Sequence, residues 1–233
     1  MAVDISDGLH APSLVEVTTR QLREEILSGE LAPGQRLIEE QIRKRYAISR
    51  APLREALRLL AQQGLVEHLP RRGARVTEWS DTDIDELFGL RAVLERHAIE
   101  LALPLTSLPL TPLAPERLAV VRARLDEMRT ADQAGDQLRK DDAHRAFHAA
   151  VVGLAGNRQL DLAVEPILLK LQRPMALNLR REAKLMGPEA GIRRHEQLLA
   201  ALESNDREAV LRVLAEHGPR RYLARDAVPL PTG

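Results

Sequence analysis

From Asp81 to about residue 225 the chain offers only one kind of pattern. Apolar residues return at helical spacing throughout. Helices are expected near 81–103, 115–133, 137–154, 158–182, 189–203 and 206–225, and Gly, Pro or an Asn/Asp cap punctuates most of their boundaries. Helices with apolar stripes and no sheet to lie on must bury those stripes against one another. This part is therefore read as an all-α antiparallel bundle. The stretch "PLTSLPLTPLAP" (104–115) holds four prolines and is a connector.

The residues before Asp81 read differently. "SLVEVTTRQLREEILS" (13–28) places Leu14, Val17, Leu22, Ile26 and Leu27 at roughly helical spacing, and Gly29 ends the run. "LAPGQRL" is a turn built on Pro33-Gly34. A short helix follows in "IEEQIRKRYA", broken at Ala47-Ile48. Ser49 is a good N-cap for "RAPLREALRLLAQQG", where Pro52 sits harmlessly in the first turn. Leu53, Ala56, Leu57 and Leu60 form its buried stripe, and Gly64 stops it. Two short β runs, 65–69 and 74–79, flank "PRRG" and make a hairpin with an arginine-rich tip. The division is a tail over 1–12, a first domain over 13–78, a helical domain over 79–226 and a tail over 227–233.

Composition narrows the function classes. There is no cysteine, so disulfides, thiolate metal sites and thiol nucleophiles are excluded. The start lacks a basic segment followed by an apolar run, so no signal peptide is expected. No apolar run approaches the roughly 20 residues of a membrane span. The expected setting is the cytoplasm. Net charge is zero, yet residues 36–75 carry ten Lys/Arg against four Glu, a balance of 10 − 4 = +6, so the remainder sums to −6. A basic module joined to an acidic body suits a nucleic-acid reader with a second function attached.

Three helices and a two-stranded wing make a winged helix-turn-helix, in which the second helix of the pair enters the major groove. Its first residues are Ser49, Arg50 and Arg54, with Arg58 one turn on. Arg54 and Arg58 lie away from the leucine stripe, and the guanidinium fork matches guanine O6 and N7 together. Ser49 can meet a phosphate through its hydroxyl and the helix N-terminus. Arg71, Arg72 and Gly73 at the wing tip suit phosphates or the minor groove.

In the helical domain "HRAFH" (144–148) sets His144 and His148 four apart on one helix face, while Phe147 points off it and is read as core. By spacing alone the pair is half of a metal site or two polar residues on a solvated surface.

"ILSGELAPGQRLIEE", "ISRAPLREALRLLAQQGLVEHLPRRGARV" and "DIDELFGLRAVLE" resemble the GntR family of bacterial transcription regulators, and the following helices resemble its FadR subfamily with an FCD-type effector domain. The resemblance covers about residues 14–225. It implies a homodimer on a near-palindromic operator, most simply as a repressor, and a small-molecule effector that changes DNA affinity. It also implies a divalent metal held by Asp-x-x-x-His on one helix and one His on each of two later helices. His148, His195 and His217 match the three family histidines, and the family's Asp falls on His144. Four neutral imidazoles leave the ion its full charge, which favours zinc, nickel, cobalt or iron over hard ions that prefer oxygen and attracts a carboxylate metabolite; zinc is the first expectation, with manganese a further candidate. Asp141 is a candidate acceptor orienting one of the histidines, or a remote ligand. Arg91 matches a family arginine facing the effector. Its alternative is an ion pair with Glu95, four residues on. Arg173 is a further effector candidate. Two departures stand in the DNA-binding pair: Arg43 replaces a small Ala and could reach a phosphate, and Ala47 replaces the usual turn Gly.

An enzyme is not expected. "HEQLL" lacks the second His of a metalloprotease helix, and neither a G-x-S-x-G elbow nor a phosphate loop occurs. The remaining alternatives are a purely structural metal in the same regulator, or a histidine-metal hydrolase.

Overall fold

The computed structural model describes residues 12–70, 72–103 and 113–217. The chain divides into two compact units, 1–78 and 79–233, each described by itself.

The first unit begins with α1 (Leu14–Ser28), fixed at its start by a capping box between Ser13 and Glu16. Its buried face is Thr18, Leu22, Ile26 and Leu27. Leu14 and Val17, expected in that stripe, are 62% and 37% exposed, and the buried face starts at Thr18. Helices α2 (Glu39–Tyr46) and α3 (Arg50–Gln62) follow. Leu53, Ala56, Leu57 and Leu60 are buried, as the spacing predicts. Between α2 and α3, Ala47 adopts φ +52°. A left-handed residue other than glycine costs about 1 kcal/mol. The helix pair keeps its turn at that cost.

The wing has three strands, not two: β1 (Arg36–Leu37), β2 (Val66–Leu69) and β3 (Gly73–Val76), in the order β1-β3-β2. Arg36 pairs with Arg75 and Leu37 with Ala74, both antiparallel. Two residues carry no readable period, so the sequence shows only the turn before them. That turn depends on Gly34, whose φ is +71° and whose missing Cβ would lie 2.6 Å from the Glu78 carboxylate. Strand β3 ends at Val76, short of the expected 79.

The second unit is helical: α4 (Asp81–Ala102), α5 (Pro115–Gln133), α6 (Gln137–Gly153), α7 (Arg158–Met186), α8 (Ala190–Glu203) and α9 (Arg207–Glu216). Asp136, Asn157 and Asp206 cap α6, α7 and α9 through their side chains. Helix α7 runs four residues past the expected 182 and carries Pro166 and Pro174 inside it. The connector over 104–112, the wing residue 71, the tails, and the part of the last helix expected beyond 217 lie outside the described residues.

Helix α6 is the central element and contacts α4, α5 and α7. On one side Phe147 and Val151 join Ile99, Leu125, Leu198 and Val210; on another Val152 joins Phe88, Val164, Leu168 and Met175. Phe147 is fully buried. Between these two apolar clusters α6 presents His144 and His148, 4% and 1% exposed. The solvated-surface reading of "HRAFH" is therefore wrong. The His144/His148 face of α6 is turned into the bundle, while Gln137 and Arg139 stay exposed near its start.

Candidate functional site

On the first unit Ser49, Arg50, Arg54 and Arg58 are exposed along the outer face of α3. Ser49 sits at the N-cap position with extended backbone, but its hydroxyl makes no capping bond. Arg54 Nε lies 3.4 Å from Glu39, and Arg58 donates to Glu55 at 2.6 and 2.9 Å. Arg43 pairs with Glu40 at 2.9 Å along its own helix. Exposed pairs of this kind are worth about 0–1 kcal/mol, so a phosphate or base edge can displace them. In the wing the Arg36 guanidinium donates to the Arg72 carbonyl at 2.9 Å, and Gly73 turns with φ +83°.

In the second unit three elements deliver imidazoles to one point. Helix α6 supplies His144 and His148, α8 supplies His195, and the C-cap of α9 supplies His217. All four are buried. The Nε2 atoms of His144 and His148 are 3.1 Å apart, those of His148 and His195 3.5 Å, and those of His195 and His217 3.3 Å. An ion that binds nitrogen tetrahedrally at about 2.0–2.1 Å holds its ligands about 3.3 Å from one another. His144, His148 and His195 form a metal-competent group, and His217 extends it through His195.

The tautomers follow from the partners. His148 Nδ1 is 2.8 Å from Glu95 Oε1, and His195 Nδ1 is 2.6 Å from the Gly191 carbonyl. Burial alone would raise the Glu95 carboxyl, but Arg91 and His148 outweigh it and hold it below its ordinary value. An ionised carboxylate and a carbonyl only accept, so both Nδ1 atoms must donate. Burial, then the positive charge of Arg91, pushes His148 down to about 4. Burial likewise pushes His144, His195 and His217 well below the usual imidazole value. The rings are thus neutral near pH 7, and the Nε2 atoms of His148 and His195 turn bare lone pairs toward each other. Each of these two acceptors can be met by a cation or by an Nε2–H of its other neighbour, His144 at 3.1 Å or His217 at 3.3 Å, and a single cation between the rings meets both at once.

Arg91 is buried, with Nε 3.3 Å from Glu95 Oε1, the oxygen that also serves His148. The ion pair weighed as its alternative role is present. The charges of Arg91 and Arg194 reach all four imidazoles, and Arg173 is half-buried on α7. Asp141 accepts from Arg180 at 2.7 Å, and the acceptor that orients His148 is Glu95. Sequence reasoning noticed Glu95 only as a neighbour of Arg91. It missed the Gly191 carbonyl, one helical turn before His195 on α8, and Glu182 and Arg194, whose contacts cross between helices and leave no trace in spacing.

Comparison with known proteins agrees with both units. Residues 14–76 match the model of the bacterial regulatory proteins of the gntR family, and residues 86–218, more than half the chain, match the FCD domain. The Bacillus subtilis (strain 168) HTH-type transcriptional regulator YdhC is 27% identical over 84% of each chain. The Escherichia coli (strain K12) HTH-type transcriptional repressor RspR is 26% identical over 85% of this chain and 82% of its own. A crystal structure of a GntR regulator from Rhodococcus sp. RHA1 shares the fold with TM-score 0.61 at 24% identity, over 88% of this chain and 94% of the other. The chain belongs to the GntR family: it is a DNA-binding transcriptional regulator with an FCD domain, and not an enzyme.

Proposed function

We propose that the helical unit of this regulator holds a divalent metal, zinc first, on His144, His148, His195 and His217, and that a small carboxylate metabolite bound beside it controls operator affinity. The observation that carries the reading is the pair of Nε2 lone pairs fixed face to face by Glu95 and the Gly191 carbonyl. When bound, the metal supplies a fixed positive charge to which a carboxylate can be drawn. Arg91 adds a buried guanidinium whose charge reaches the same point, and a carboxylate held by both would be well fixed. The expected assembly is a homodimer of FadR-subfamily type reading two half-sites of a near-palindromic operator in the cytoplasm. Ligand binding then shifts the population between arrangements of the DNA-reading heads, provided the ligand prefers one of them. The relative RspR is a repressor, which favours that sign of control here. Among the described residues no helix is long and apolar enough to cross a membrane.

A thermal-shift screen of carboxylates, run with zinc and after chelation, tests the site. At a hundredfold excess over Kd a ligand adds about 2.7 kcal/mol, roughly 5–10 °C for a chain of this size. That shift is expected only with metal present. An equal shift in the chelated protein would separate the effector from the metal.

The DNA face has its own test. Arg54→Ala is expected to weaken binding to an operator selected from random duplexes by about 1–3 kcal/mol, read by fluorescence anisotropy at fixed salt. Unchanged affinity would remove Arg54 from the base-reading set. The same role is proposed for Arg50 and Arg58, with Arg43, Ser49, Arg71, Arg72 and Gly73 on the backbone or in the minor groove.

A further inference from the structure

We infer that Glu182 and Arg194 form a clamp that presets His217 as a metal ligand, both acting as positioning residues without touching the ion themselves. The inference rests on the metal reading above. His148 and His195 are each oriented through Nδ1, by Glu95 and by the Gly191 carbonyl. His217 shows no such hold: its Nδ1 is buried and has no hydrogen-bond partner among the described residues. Yet its Nε2 lies 3.3 Å from His195 Nε2, in register with the other rings. The hold on this residue comes through its main chain. His217 is the C-cap of α9, and its N–H donates to the Val213 carbonyl at 2.8 Å. Its own carbonyl is among the last of the helix, which have no intrahelical donor. Arg194 Nη1 supplies that donor at 3.1 Å.

The guanidinium is in turn fixed by a two-pronged contact. Arg194 Nε and Nη2 donate to the two Glu182 oxygens, each at 2.9 Å. One planar fork therefore ties α7, α8 and the end of α9 together. Glu182 is nearly fully buried, with a side chain 3% exposed. A buried pair is a poor way to gain stability, because desolvation offsets most of the attraction. It does confer geometry. Its carboxylate also balances a positive charge that reaches all four imidazoles and would otherwise repel a cation. Gly191 keeps α8 close enough for the fork to reach: a Cβ there would lie 2.8 Å from Leu179 Cδ2 and 3.4 Å from Glu182 Oε2.

The test uses the full-length protein loaded with cobalt(II), with affinity measured by competition against a chromophoric chelator and coordination read from the visible absorption bands. Arg194→Met is expected to weaken binding about 10–100-fold and to lower the intensity of the four-coordinate bands, as loss of an orienting partner does. Glu182→Gln is expected to weaken it as well, since it leaves a guanidinium without its counter-ion beside the cation. Arg194→Lys keeps the charge but cannot span Glu182 and the His217 carbonyl together, and should behave like Arg194→Met. A merely structural pair would lower the melting temperature of the metal-free protein and leave the cobalt spectrum unchanged. Affinity within threefold of wild type and an identical spectrum, in a variant with wild-type circular dichroism, would overturn the inference. Should Arg194→Met fail to fold, the same comparison on Arg194→Lys decides. Wild-type protein that takes up no cobalt overturns the metal reading itself, an outcome distinct from cobalt uptake that ignores Arg194.

Discussion

His195→Ala protein is expected to purify without stoichiometric metal, while wild type retains it, as measured by elemental analysis. A four-ligand zinc site is worth about 10–16 kcal/mol, so one ligand accounts for about 3 kcal/mol, more than a hundredfold in Kd. His195 is chosen because it joins the others. Its Nε2 is within 3.5 Å of that of His148 and 3.3 Å of that of His217. It also packs edge-on against Phe147, with ring centroids 5.0 Å apart. The cavity left by alanine would therefore cost core packing too, and His195→Gln separates the two effects. It keeps most of the volume and loses the imidazole. If wild type holds no metal, and chelator changes neither its stability nor its ligand response, the four-histidine site is wrong.

The second large effect concerns acid. An unfolded imidazole titrates near 6.5, and folded His148 resists protonation down to about 4. Between those values the unfolded chain binds a proton that the folded one refuses. Stability of the metal-free protein must therefore fall as pH drops from about 6.5 toward 4, and must not depend on this group above 6.5. The shift amounts to on the order of 3 kcal/mol for His148 alone. His144, His195 and His217 are displaced in the same direction by the same cause, burial, and deepen the loss. Urea midpoints of chelated protein, taken between pH 7.5 and 5, measure it. A midpoint that stays level through that interval would mean the four rings are not neutral and buried. A bound metal should flatten the same profile near neutrality, because it takes the lone pairs that protons would otherwise seek.

How much of this could be read in advance varied with the physics of each element. The stripe of α3 was legible because one face is solvated and the other buried, which is the condition under which helical spacing speaks. Ser49, Arg50, Arg54 and Arg58 were placed on its outer side by the same logic. Strand β1 was not legible, since a pair of residues has no period and takes its structure from β3. Leu14 and Val17 look like core and are not, because rough helical spacing does not say which neighbouring residue, here Thr18, faces inward. Helix α6 misled in the opposite direction. Lys140, Asp141, His144 and His148 give it a polar character, yet all four are buried. His144 and His148 were singled out by their spacing, and His195 and His217 by family resemblance. What oriented them was out of reach: Glu95 is 53 residues from His148, and Glu182 is on a different helix from Arg194.

The four imidazoles also say something about what this protein was not built for. They occupy positions at the centre of a bundle where leucine or phenylalanine would pack without any need for partners. A chain with apolar residues there would hold together better in acid and without metal, and it would answer to neither. Natural proteins sit close to a stability threshold, and residues kept for function are commonly the ones that hold them there. On the metal reading proposed above, folded lifetime and not only DNA affinity would become a quantity that metal supply sets.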